Sequence, residues 1–330
     1  MSAALLKRAA LGLAIALLFL APLELRRYGL FLLSTWAVMT IAAMGLNLTL
    51  GYAGQVSLAQ GAFVGLGAYC AALLTTAGWP LIAALALALP LGFAVGWLLG
   101  FPALRVQGHY LAFITLAFST MAFLVMRNEA WLTHGVEGVD GVPRPTFFGV
   151  STQGSLAYAY VCLGALVVAS LALWAILRSP WGRAFVALRE NPIRAQSLGV
   201  DVRRYTLTAF AIGSAFGAFS GVMDGPLVGL VEPPAFTLAL SLNLLMMTIV
   251  GGSGYFFGPF LGAAVGVLLP EALRGWESYY LIAYALMVMA MMIGAPSGLA
   301  GVAARIGERV RQRAASAARS RLRAGMERAP

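Results

Sequence analysis

The sequence predicts an all-α fold: a polytopic transmembrane helix bundle of about ten spans joined by short loops. Three observations carry this. Of 330 residues, 61% are hydrophobic and 10% charged, and mean hydropathy is +0.86, well outside the range of soluble globular domains. The apolar residues fall into runs near the ~20 needed to cross hydrocarbon, with Gly, Pro and Arg between them. The basic residues gather in a few of the intervening segments, as they do where Lys and Arg stay on the cytoplasmic side.

Taken in order, the runs place spans at 9–25, 28–50, 56–77, 80–101, 109–127, 155–177, 205–224, 237–256, 259–273 and 279–294. The first follows Lys7 and Arg8 and has the basic start and short apolar core of a secretory signal, but no small-x-small cleavage site follows. It is expected to be an uncleaved first helix. The ninth is short, follows GGSGYFFGP and carries Pro270, so a re-entrant half-helix is its alternative. Charge favours a full crossing. With ten spans, 17 of the 22 Lys and Arg residues lie on the cytoplasmic side, including six from Arg178 to Arg204 and eight after Gly301. Both termini are then cytoplasmic, and Arg26 and Arg27 are the exception left outside. The chain divides into a membrane domain, 1–301, whose longest interior loop is 179–204, and a basic cytoplasmic tail, 302–330. A net charge of +10 is accounted for by basic loops beside anionic lipid and does not call for nucleic acid.

Enzyme chemistry is not expected. The histidines are His109 and His134, the acidic residues number twelve, and no metal-ligand or nucleophile motif occurs, so no catalytic residue and no metal is assigned. Asp224 stands alone near an outer end. Cys70 and Cys162 fall within apolar runs and behave as small hydrophobes. The single lysine is Lys7, in the N-terminal arm, and a phosphate-binding loop needs a lysine at its own glycine turn. The chain therefore binds no cofactor of its own, and any ATP is bound by a partner subunit.

Glycines recur every four residues at Gly213, Gly217, Gly221, Gly225 and Gly229, and again at Gly92, Gly96 and Gly100. Such rows let helix backbones approach closely in lipid. In the 179–204 loop, Asn191 is a good N-cap, Pro192 suits the first helical position and Gly199 fits a left-handed helix end. These mark a short helix, Pro192 to Leu198. A helix of that length does not persist alone in water, so it rests on its own membrane domain or on a partner.

Four stretches in order resemble one family: GLNLTLGYAGQVSLAQGAFVGLGAY from Gly45, RVQGHYLAFITLAF, the ENPIRAQSLGVDVRRY loop with the helix after it, and GGSGYFFGPFLGA. They are similar to the LivM-type permease subunit of bacterial branched-chain amino acid ABC importers. The resemblance implies an inner-membrane subunit working by alternating access, with a LivH-like second permease, two cytoplasmic ATPase subunits and a periplasmic substrate-binding protein as partners. It also implies that Arg189–Gly199 is the ATPase-coupling loop, carried by Glu190, Asn191, Pro192, Arg194, Ala195 and Gly199. For such a permease Asn47, Gln55, Ser57 and Gln60, neutral and polar in a Gly-broken junction, are candidates to line the route of a polar solute. The alternative is that they bond one another and the freed backbone as a structural knot. An ion-coupled secondary transporter would instead need intramembrane acidic or histidine residues and inverted repeats, and neither stands out.

Overall fold

A computed structural model describes residues 19–103, 109–147 and 150–273, with 286, 288–290, 293–294 and 297–305. The predicted spans 9–25 and 279–294 and the tail beyond Arg305 lie wholly or largely outside these residues. Elsewhere the chain runs through α1 (Arg27–Leu46), α2 (Gln60–Thr76), α3 (Leu81–Ala103), α4 (His109–Asn128), α5 (Ser155–Arg178), α6 (Pro180–Glu190), α7 (Pro192–Ser197), α8 (Val202–Val228), α9 (Leu238–Gly251) and α10 (Gly258–Leu273).

Among the described residues five helices are long and apolar enough to cross a membrane: α1 with its continuation to Tyr52, then α3, α4, α5 and α8. Three more, α2, α9 and α10, are apolar but shorter. An all-α membrane bundle is thus what forms, and every predicted span between residues 28 and 273 coincides with a helix. Two are shorter than hydropathy suggests. The 56–77 run becomes helical only at Gln60, and the 237–256 run stops at Gly251, before Gly252 and Gly254 at φ of +114° and +83°.

The centre of the bundle is α8, packed against α1, α2 and α3. Its glycine row is the reason. A Cβ on Gly221 would overlap the Val64 carbonyl and lie 2.7 Å from the Ala68 nitrogen, and one on Gly67 would lie 2.7 Å from the Ala218 carbonyl carbon. Gly213 meets Gly45 backbone to backbone in the same way. Gly92 and Gly96 let α3 close on Ala218 and Ser214 from the other side. In lipid the expulsion of water does not drive helices together, so packing of this closeness has to. Gly229 departs from the expected row. It sits at φ +84° just past the end of α8, with nothing within 4 Å of a Cβ there, and terminates the helix.

The two ends of α8 are about 40 Å apart by helical rise. At its C-terminal end, β1 (Val139–Asp140) pairs antiparallel with β4 (Leu230–Val231), beside the hairpin of β2 (Thr146–Phe147) and β3 (Val150–Ser151). At its N-terminal end sit α6 and α7. Helix α6 is an addition to the expected loop. Ser179 caps it by accepting from the Trp181 N–H at 3.2 Å, and Pro180 opens it. Gly182, Ala184, Phe185 and Leu188 form its buried face, with Phe185 against Tyr205 edge-on at 6.3 Å. The Ser-Pro start is the same signal as Asn191-Pro192.

Candidate functional site

The polar junction begins where α1 changes its winding. From Asn47 to Tyr52 the chain is π-helical, so that Ala53 donates to the Leu48 carbonyl at 3.0 Å. A π turn widens the helix and turns side chains out of the α register. Asn47, fully buried, uses the change. Its Nδ2 donates to the Tyr255 carbonyl at 3.0 Å, and its Oδ1 accepts from the Gly254 N–H at 2.8 Å. One side chain thereby satisfies both a donor and an acceptor of the Gly251–Gly258 turn.

After Tyr52 the backbone doubles back into the bundle, without helix, as far as Gln60. There it is level with Ala42, about 15 Å of helical rise from Tyr52, because Gln60 Nε2 donates to the carbonyls of Ala42, at 3.0 Å, and Gly213, at 3.2 Å. Irregular backbone inside a membrane protein must find partners within the protein, and three hydroxyls provide them. Thr115 of α4 accepts from Leu58 N at 2.9 Å, Ser57 from Ala59 N at 3.3 Å and Ser241 of α9 from Gly61 N at 2.9 Å. Gln55 differs: its Oε1 is buried with no hydrogen-bond partner among the described residues. Asn47 and Gln60 thus spend their amides on backbone, Ser57 on its own turn, and Gln55 keeps an unused acceptor. Thr115 and Ser241 were invisible in the sequence, where an isolated hydroxyl in an apolar helix usually bonds the carbonyl one turn back.

The coupling segment is a second, separate cluster. Asn191 Oδ1 accepts from the Arg194 N–H at 3.0 Å and starts α7. At its far end Val200 N donates to Ala195 O and Gly199 N to Gln196 O, both at 3.0 Å, with Gly199 at φ +82°. This pair of bonds around a left-handed glycine is the Schellman arrangement. Helix α7 closes at Ser197, with Leu198 as its cap, one residue short of expectation. Ala195 is turned inward at 2% exposure, whereas Ile193 and Leu198 stand 80% and 83% exposed; Glu190, Pro192, Arg194 and Gly199 are also exposed.

A further hollow touches neither cluster. It is an open groove of about 670 Å³ between the first half of α1 and the facing sides of α9 and α10, lined among others by Tyr28, Thr35, Met39, Asn243, Met247 and Glu271. The Asn243 Oδ1 is buried there without a partner among the described residues. No group of His, Cys, Asp or Glu among those residues is arranged to hold a metal ion.

A family model described as the permease component of branched-chain amino acid transport systems matches residues 28–296. The chain is 34% identical over 312 residues to the high-affinity branched-chain amino acid transport system permease protein LivM of Escherichia coli, covering 86% of this chain and 73% of that one. It is 35% identical to the LivM protein of Salmonella typhimurium, over 79% and 67% of the two chains. A more distant relative, 24% identical over 76% of this chain and 75% of its own, is the autoinducer 2 import system permease protein LsrC of Escherichia coli. No solved structure matches.

Proposed function

Because the chain belongs to the family of branched-chain amino acid transport permease components, we propose that it forms one half of the membrane domain of an ABC importer in the bacterial inner membrane. Its solute is a branched-chain amino acid or a similar small polar molecule, moved from periplasm to cytoplasm by alternating access. A LivH-like permease completes the pathway, a periplasmic binding protein delivers the solute, and two cytoplasmic ATPase subunits supply the energy. The bundle has ten spans, counting α10 as a full crossing, and the end that carries α6 and α7 faces the cytoplasm with both termini. Alkaline phosphatase fused after Arg323 is then expected to be inactive, and an active fusion would overturn the ten-span count.

The observation that carries the reading is α7. Six residues are capped at both ends, pinned inward by Ala195 and left with Ile193 and Leu198 standing in water. Apolar side chains on so short and so firmly closed a helix ask for a cover, and a chain without a phosphate-binding lysine asks for an ATPase. One partner meets both demands. Gln55 and Ser57 border the inner part of the route, Asn47 and Gln60 hold its shape, and the groove beside Asn243 is its outer part. Neutral groups along its inner part suit a path that must release a zwitterion.

The test is the reconstituted complex. Ile193→Glu with Leu198→Glu is expected to cut ATPase co-purification at least tenfold while pairing with the second permease persists. Gln55→Leu is expected to keep the ATPase and lower uptake several-fold. Retention of the ATPase by the double variant would reduce α7 to a connector.

A further inference from the structure

The polar junction and the coupling segment, read as separate clusters in the sequence, are joined by Arg189. This residue is at the C-terminal end of α6, one before Glu190 and two before the Asn191 cap. Its guanidinium donates to the Gly51 carbonyl, within the π-helical end of α1, in a partly buried contact. Among the described residues this is the one hydrogen bond that leaves α6 and α7 for another part of the bundle.

The surroundings are shaped to the guanidinium. A Cβ on Gly54 would lie 3.3 Å from the Arg189 Cα and Cγ, and one on Gly254 would overlap the guanidinium itself. The same Gly254 Cβ would stand 2.9 Å from the Gly51 oxygen. The Gly51 carbonyl and Gly254 thus face the guanidinium, Gly54 leaves room for the Arg189 backbone and stem, and Asn47 fastens the Gly254 turn. The chemistry suits it. The last carbonyls of a helix have no partner within it and carry the negative end of the helix dipole, so a cation there supplies both a donor and a favourable charge. Arg189 caps α1 from outside α1.

We propose that Arg189 is the positioning residue through which a displacement of α6 and α7 reaches the π-helical end of α1 and the Gly251–Gly258 turn, opening and closing the inner end of the route. The inference rests on the importer reading above. Its logic is mechanical: α6 packs on α5, α8 and the π-helical end of α1, with Phe185 in the core, and its polar link to the junction among the described residues is this one side chain. When the ATPase shifts α7, the Arg189 fork pulls the Gly51 carbonyl with it, or releases it.

Arg189→Met and Arg189→Lys, in the full complex with binding protein in proteoliposomes, separate coupling from docking. For Arg189→Met the expected result is a complex that still retains its ATPase and hydrolyses ATP, with uptake down at least tenfold, so that the ATP consumed per solute rises by the same factor. Lysine keeps the charge and one donor but not the fork, and is expected to bring uptake back to within about threefold of wild type. An unchanged ratio of uptake to hydrolysis in Arg189→Met would overturn the inference while leaving the importer reading intact. So would loss of the ATPase from both variants, which would make Arg189 a docking residue. A wild-type complex that captures no ATPase would fail the importer reading and take this inference with it.

Discussion

Gly221→Val is expected to abolish the folded bundle, and Gly164→Val to leave it nearly unchanged. Both glycines lie within apolar helices of similar length, α8 and α5. The difference is what a side chain would meet. At Gly164 nothing lies within 4 Å of a Cβ, whereas at Gly221 the Cβ alone overlaps the Val64 carbonyl and comes within 2.7 Å of the Ala68 nitrogen. These are backbone atoms of a rigid helix and cannot rotate aside. The helices α2 and α8 must separate, and with them go the neighbouring contacts of Gly67 and Gly217. Overpacking a well-filled core costs about 1–3 kcal/mol where side chains can adjust, and a backbone obstruction at the axis of the bundle puts Gly221→Val at or above the upper end. The measurement is the fraction of monodisperse protein and its unfolding midpoint in detergent. Equal midpoints for the two variants would show that α2 and α8 do not touch along this row.

Asn47→Leu is the second large effect, and it is expected to act locally. Leucine fills nearly the same volume but strands the Gly254 N–H and the Tyr255 carbonyl, the partners that Asn47 holds at 2.8 and 3.0 Å. A buried backbone group left unpaired costs about 1–3 kcal/mol, and here there are two. The Gly251–Gly258 turn is expected to loosen from the π-helical end of α1, so its protease cleavage and amide exchange rise by one to two orders of magnitude while α2 and α8 keep their protection. Asn47→Asp retains the acceptor for Gly254 but sets a carboxylate against the Tyr255 carbonyl, and is expected to fall between leucine and wild type. If the exchange rate of the turn were the same in all three proteins, Asn47 would not be what holds it.

Much of this architecture was legible in the sequence, because the signals concerned are local. Hydropathy located the eight apolar helices between residues 28 and 273, since an apolar run of the right length has few alternatives in a bilayer. The Asn191-Pro192 start and the Gly199 stop wrote α7 to within one residue, because a cap is decided by a handful of neighbours. The same local grammar at Ser179-Pro180 announces α6. The family, too, was legible in four ordered stretches.

What the sequence left undecided was which groups would meet. In a soluble helix the apolar stripe points at the core, but helices bathed in lipid are apolar all round, and hydropathy cannot distinguish the inward face. The glycine row indicated a close approach without naming its partner; the structure supplied α2, α3 and Gly45 of α1. Asn47, Gln60 and Ser57 share one short stretch, yet their bonds go to different places. Asn47 reaches 207 residues along the chain to Gly254 and Gln60 reaches 153 to Gly213, while the Ser57 hydroxyl bonds two residues away. Arg189, one more arginine in a basic loop, proved to cap a helix that ended 138 residues earlier. The sequence by itself determined which stretches are helical, because each backbone in a membrane must satisfy its own hydrogen bonds nearby. Only the tertiary structure decided where that rule is broken and repaired, between Asn47 and Gln60, because the repair is made by side chains that packing, and not proximity along the chain, brings within reach.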